Sequence, residues 1–118
     1  MQDYRKLIFW QKSHIFALNI YRVTSMFPRE EIYSLVSQMR RAAISVPSNI
    51  AEGCGRNGSK EIRHFMAMAM GSANEVGYQL LLAKDLNYIP DEKYISLNND
   101  VDEIQKMLAS YIKRIEEI

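Results

Sequence analysis

Three stretches of this chain repeat apolar residues at alternating steps of four and three. The C-terminal one is the most regular: Leu97, Val101, Ile104, Leu108, Tyr111, Ile115 and Ile118. The same pattern runs through Ile62, Met66, Ala69, Ala73, Val76, Leu80 and Ala83, and through Ile32, Val36, Met39, Ala43, Val46 and Ile50. A mean step near 3.5 lays such residues along one stripe of a helix and is incompatible with the two-residue period of a strand. A narrow apolar stripe is stable only against another, so three seams in one short chain predict helices packed lengthwise.

Punctuation divides the chain into four helices and no strands. A first helix is expected from Tyr4 or Leu7 to Met26, and it is unusually apolar, with Ile8, Phe9, Trp10, Ile15, Phe16, Leu18 and Tyr21 spread over more than one face. Apolar residues on several sides call for burial on several sides, which points to a second subunit. Pro28 stops this helix, and a second runs from about Arg29 to Gly53. Pro47 lies inside it and predicts a kink or break, while Gly53 or Gly55 is placed to form a left-handed cap. A third helix follows Ser59, read as its N-cap, and ends between Asn87 and Pro90; its middle is thinned by Gly71, Ser72, Ala73 and Gly77. Glycine costs about 1 kcal/mol relative to alanine in a helix, so two of them imply a packing reason. The fourth helix begins near Asp91. Short connections make the simplest architecture an all-α, up-down-up-down antiparallel four-helix bundle, a single domain over residues 1–118.

Composition narrows the class further. No apolar run approaches the ~18 residues of a membrane span, and Leu7–Trp10 is too short for a signal-peptide core, so a cytoplasmic protein without membrane contact is expected. The single cysteine, Cys54, cannot close an internal disulfide and fits a reducing compartment. Net charge is only +1, but residues 1–63 hold ten Lys/Arg against five Asp/Glu, and residues 64–118 hold five against nine. The ordinary reading is attraction between complementary halves, within the bundle or between subunits; a local basic patch on the first half is the other.

Several motif matches lack the context their chemistry needs. Gly53-Cys54-Gly55-Arg56-Asn57-Gly58 spells a dinucleotide-binding fingerprint, but a helix precedes it and no strand follows. Glu61-Ile62-Arg63-His64 has the spacing of a di-iron ligand pair without a second copy, and Asn57-Gly58-Ser59 is a glycosylation sequon with no secretory signal. Cys54 has no histidine near it in sequence to activate it, although Arg56 and Lys60 are placed to lower its pKa. No catalytic residue, metal site, cofactor or small-molecule substrate is expected.

Two surface features remain. Gln38, Arg41, Ser45, Asn49 and Glu52 lie three or four residues apart opposite the second helix's seam, with Ser72, Asn74 and Glu75 as counterparts on the third. Together with Trp10, the residues Gln38, Arg41, Ser45, Asn49, Glu52, Ser72 and Glu75 are the candidate subunit interface or channel lining. Arg41 is expected to pair with Glu75, or with Glu52 of a neighbouring copy. Arg40, Arg56, Lys60 and Arg63 are the candidate contacts to an anion or nucleic acid, centred on the glycine-rich turn at a helix N-terminus.

Trp10-Gln11-Lys12, Ile20-Tyr21, Phe27-Pro28, Glu31, Gln38-Met39-Arg40-Arg41-Ala42, Ser45-Val46-Pro47-Ser48-Asn49-Ile50-Ala51-Glu52-Gly53, Gly55-Arg56, Gly71-Ser72 and Glu75 give the chain a specific signature. On these residues it resembles the 23S rRNA-intervening-sequence protein family, from about Leu7 to Ile115. The resemblance implies a four-helix bundle assembled as a ring-like homopentamer. The residues themselves favour a non-enzymatic scaffold or accessory factor, with RNA bound through Arg40, Arg56, Lys60 and Arg63 as the alternative. A related branch, the accessory variability determinants of diversity-generating retroelements, binds nucleic acid and a reverse transcriptase through a basic barrel, from which a net charge of +1 departs.

Overall fold

The C-terminal seam folds as expected. In the computed structural model, which describes residues 2–116, Asp91–Glu116 is one helix. Its Leu97, Val101, Ile104, Leu108 and Ile115 are buried and Tyr111 is half-buried; Ile118, the seam's last member, lies outside the described residues. The other long helices are Ile8–Thr24, Ser37–Cys54 and Ser59–Asp85. In chain order they are α1 (Ile8–Thr24), α2 (Ser37–Cys54), α3 (Ser59–Asp85) and α4 (Asp91–Glu116). Each packs on its neighbour in sequence, α1 closes against α4 more sparsely, and the body measures 46 × 24 × 20 Å. The described residues contain no strand, and the architecture is the four-helix bundle.

The α2–α3 pairing is the tight one. Ala42, Ala43, Ala69 and Ala73 are all buried there or beside it. A Cβ built on Gly53 would sit 3.1 Å from the Phe65 Cβ and 3.1 Å from the Met66 Cε, so the absent side chain is what lets the helices approach. Gly77 has a milder version of this role, its notional Cβ lying 3.6 Å from Val101 on α4. Gly71 has none: nothing lies within 4 Å of where its Cβ would be. The expected packing reason therefore holds for Gly77 and fails for Gly71 within one chain.

Local punctuation departs from the expectation in four places. Pro47 is buried and α2 runs through it without interruption, because Ala43, Val46 and Ile50 around it are locked in the core. Packing on both sides outweighs the one lost backbone bond. Gly55 caps α2 with φ −88°, so the helix does not end left-handed there. The left-handed residue is Asn87, φ 63°, after α3. There the Tyr88 N–H donates to the Ala83 carbonyl and the Asn87 N–H to that of Lys84, both at 2.9 Å, the paired bonds of a Schellman ending. Ser59 is the first residue of α3 rather than its cap, a place taken by Gly58.

The entry to α2 is the fourth. A tight turn at Arg29–Glu31 leads into a widened π-helical turn at Ile32–Val36 before α2 begins. The extra residue in that turn slips the phase of the seam, so Ile32 is exposed and Leu35 takes its place in the core. Glu31 holds the turn, its carboxylate accepting from the Leu35 N–H at 3.4 Å and from the Tyr88 O–H at 2.7 Å. This ties the start of α2 to the α3–α4 loop, where Phe27 packs its ring 5.3 Å from that of Tyr88. At the other end of the bundle the N-terminal segment crosses over: the Gln2 N–H donates to the Cys54 carbonyl at 3.2 Å and the Tyr111 O–H to Gln2 Oε1 at 2.9 Å.

The Tyr88 O–H holds the Glu31 carboxyl below the usual glutamate range, and the same bond pushes the Tyr88 phenol up. A depressed carboxyl contributes stability that is complete above its unfolded pKa and is lost as pH falls through the folded one; the raised phenol contributes stability lost as pH rises through its own folded value. Tyr88→Phe is therefore expected to lower the melting temperature at neutral pH and to flatten its decline below about pH 4.5. Parallel acid slopes for the two proteins, measured by thermal melts across this range, would show that the bond contributes nothing.

Candidate functional site

Sequence spacing puts Gln38, Arg41, Ser45, Asn49 and Glu52 on one flank of α2, and the fold turns that flank toward α3. Three of the expected interface residues are spent inside the chain. Ser72 Oγ donates to Ser45 Oγ at 2.8 Å, and Asn49 Nδ2 donates to the Ser45 carbonyl at 2.8 Å and to its Oγ at 2.9 Å. This knot joins α2 to α3 along their outer edge. Glu52 pairs with Arg56 at 2.8 Å, and Glu75 accepts from Gln79 at 3.4 Å. The expected Arg41–Glu75 pair does not form, and among the described residues Arg41 has no ion-pair partner. Gln38 and Arg41 are exposed.

Trp10 belongs to a different face. Its ring lies 5.1 Å from that of His14, stacked, and 4.9 Å from that of Tyr4, edge-on. It lines a cleft between α1 and α2 with Leu18, Ile44 and Pro47. The candidate interface thus divides between two flanks of α2.

The four candidate anion contacts also divide. Arg40 stands near the start of α2 and Arg56 just beyond its end at Cys54, about 21 Å of helix axis separating Arg40 from that end at ~1.5 Å per residue. Arg40 is tied down: its Nε donates to Thr24 Oγ1 at 3.0 Å, its Nη2 to the Tyr21 carbonyl at 3.2 Å, and its guanidinium lies 4.6 Å from the centre of the Tyr21 ring. Arg56 is neutralised by Glu52 and covered by Phe65, 4.8 Å from the ring centre, with its Nε buried and unpartnered. Only Lys60, exposed, and Arg63, half-buried, remain available at the α2–α3 turn. Cys54 sits under that turn, and burial pushes its thiol up instead of the expected lowering by Arg56 and Lys60.

What spacing could not show is where unpaired cations collect. An open groove of about 1060 Å³ runs between the end of α1 and the start of α2, lined by Arg29, Arg40 and Arg41 and by no carboxylate. Tyr21, Tyr33, Ile32 and Ile44 complete its walls, Tyr33 being 96% exposed. The nearby Glu31 is turned away toward Tyr88. Arg29 was invisible as a partner of Arg40 and Arg41 because the π-helical turn that brings it alongside has no spacing signature.

Among the described residues no helix is long and apolar enough to cross a membrane, and no group of three His, Cys, Asp or Glu is gathered to hold a metal. A family model for the 23S rRNA-intervening sequence protein matches residues 5–110. Among solved structures, a protein of unknown function from the S23 ribosomal protein family of Bacteroides thetaiotaomicron VPI-5482 is 32% identical, with a TM-score of 0.84 over 90% of this chain and 96% of that one. No curated protein gives a significant match.

The contrast between the two adjacent arginines is testable. Arg40→Ala removes two hydrogen bonds from a charged donor and is expected to cost about 1–3 kcal/mol. Arg41→Ala, exposed and unpaired, should stay within about 0.5 kcal/mol of the parent. Equal urea midpoints for the two variants would contradict the anchoring role of Arg40.

Proposed function

Because this chain belongs to the 23S rRNA-intervening sequence protein family, we propose that it works as a non-catalytic homo-oligomeric subunit with a scaffold or accessory role. Five copies is the number its family resemblance implies. The observation that carries the reading is the outward face of α3. Ala67, Gly71, Asn74, Tyr78 and Leu81 repeat at steps of four, three, four and three, the spacing of a packing seam, and all are exposed. Gly71, at the middle of this face, weakens the helix, and a Cβ built on it would meet no neighbouring side chain or helix within 4 Å. A glycine there makes physical sense where another helix comes close.

Supporting residues lie elsewhere on the surface. Ile8, Ile15 and Leu18 of α1 are exposed in a single chain, as an over-apolar helix awaiting a neighbour would leave them. The fold offers the residues of a bundle core and little else: the only buried polar side chains are Ser13, Thr24 and Gln79 among the described residues.

Gly71→Leu separates assembly from folding. Leucine raises helix propensity by roughly 0.8 kcal/mol, so the isolated subunit should be as stable as the parent or more so. The assembled mass, read by native mass spectrometry, should fall. A parent protein that is monomeric at micromolar concentration, or a Gly71→Leu variant of unchanged oligomeric mass, would overturn the reading.

A further inference from the structure

We propose that the groove between the end of α1 and the start of α2 binds single-stranded nucleic acid, with phosphates on Arg29 and Arg41 and a base on Tyr33. The site differs from the glycine-rich turn that sequence spacing favoured, and it does not depend on the assembly reading.

Three observations meet in this groove. The first is charge. Its walls carry three guanidinium groups and no carboxylate, in a protein whose net charge is only +1. Of the two acidic side chains of the Arg29–Glu31 turn, neither lines the groove, and Glu31 is held away by its bonds to Tyr88 and to the Leu35 N–H. Coulomb attraction for a polyanion is therefore concentrated here instead of being cancelled as it is at Arg56. The second is preorganisation. Arg40 is fixed by Thr24 and the Tyr21 carbonyl and is stacked on the Tyr21 ring, so the cationic floor of the groove is rigid before any ligand arrives. Arg41 and Arg29 flank it without an ion-pair partner among the described residues.

The third is the exposed aromatic surface. Tyr33 stands almost wholly in solvent at 96%, an uncommon place for a large ring, beside the exposed apolar side chains of Ile32 and Ile44. Cations along a channel with a free aromatic face are the two elements that single strands use: phosphates track the charge and bases stack on the ring. A duplex keeps its bases stacked on one another and leaves the ring unused. A mononucleotide would fill only part of a groove of about 1060 Å³.

The test is fluorescence anisotropy of the intact protein with a labelled oligouridylate of about 12 nucleotides. Binding should weaken with salt, log affinity falling by about 0.7 per phosphate engaged, and Arg29→Gln should reduce that slope by roughly one contact. Tyr33→Ala should weaken binding about five- to a hundredfold with little change in slope, since it removes stacking and no charge. Both residues are exposed, so both variants should keep the parent's melting temperature and native mass. An unlabelled strand should displace the probe, whereas the matching duplex and uridine monophosphate should do so poorly. The proposal is overturned if the strand does not bind, if inorganic polyphosphate competes equally while Tyr33→Ala binds as the parent does, or if both variants bind normally. It also falls if the variants change the native mass, which would make the groove a contact between copies.

Discussion

The close approach of α2 to α3 governs the rest of the molecule. It depends on what is missing: a side chain at Gly53, where even a methyl group would press on Phe65 and Met66 at 3.1 Å, and anything larger than alanine at positions 42, 43, 69 and 73. Near contact lets the Ser45 and Ser72 hydroxyls bond across the outer edge at 2.8 Å, so the joint is polar at its rim and apolar at its centre. Once these two helices are locked, α4 follows on α3 and α1 on α2. The buried face of α1 carries Phe9, Phe16 and Ile20 beside the small Ser13 and Ala17. An open cleft remains beside α2 on its α1 side.

The fold also decides which charges are usable. An arginine's value to a partner depends on what its own chain has already offered it. Arg56 has a carboxylate one helical turn back and an aromatic ring on the facing helix, so its charge is neutralised and its plane covered. Arg40 has backbone and hydroxyl acceptors from α1 and serves as a tie across the α1–α2 contact. Arg29 and Arg41 have neither. A count of basic residues along the sequence treats all four alike, whereas the fold sorts them into neutralised, structural and available.

The seams of α3 and α4 could be read in advance because their heptad spacing is uninterrupted, and among the described residues their positions are buried, with Ile62 and Tyr111 half-buried. The seam of α2 was legible from Val36 onward and misplaced at Ile32, because a π-helical turn changes the phase without any marker residue. Of the kink or break expected at Pro47, the break did not occur, since local propensity is weaker than a core that fixes the helix on both sides. Glycine suggested a left-handed ending after α2, yet Asn87 supplies the left-handed turn after α3. The polar stripe was correctly grouped on one flank, but spacing cannot tell an internal knot such as Ser45–Asn49–Ser72 from a surface waiting for a partner. That distinction needs the distances between helices.

The proposed assembly face and the proposed groove fall on different sides of the bundle. The α3 seam points outward from the α2–α3–α4 side, while the groove lies between α1 and α2. Copies joined through α3 would leave each groove open, and the short arginine-and-tyrosine track of one chain would be repeated around the assembly. One groove presents few phosphate contacts, so a single copy should hold a strand weakly at physiological salt. Several grooves on a rigid scaffold convert the second and later contacts into intramolecular events, and affinity then rises by the effective concentration set by their spacing. On this argument a near-neutral subunit needs no strongly basic surface to retain a single strand. Avidity would come from repetition, and a short strand that reaches only one groove would gain none of it.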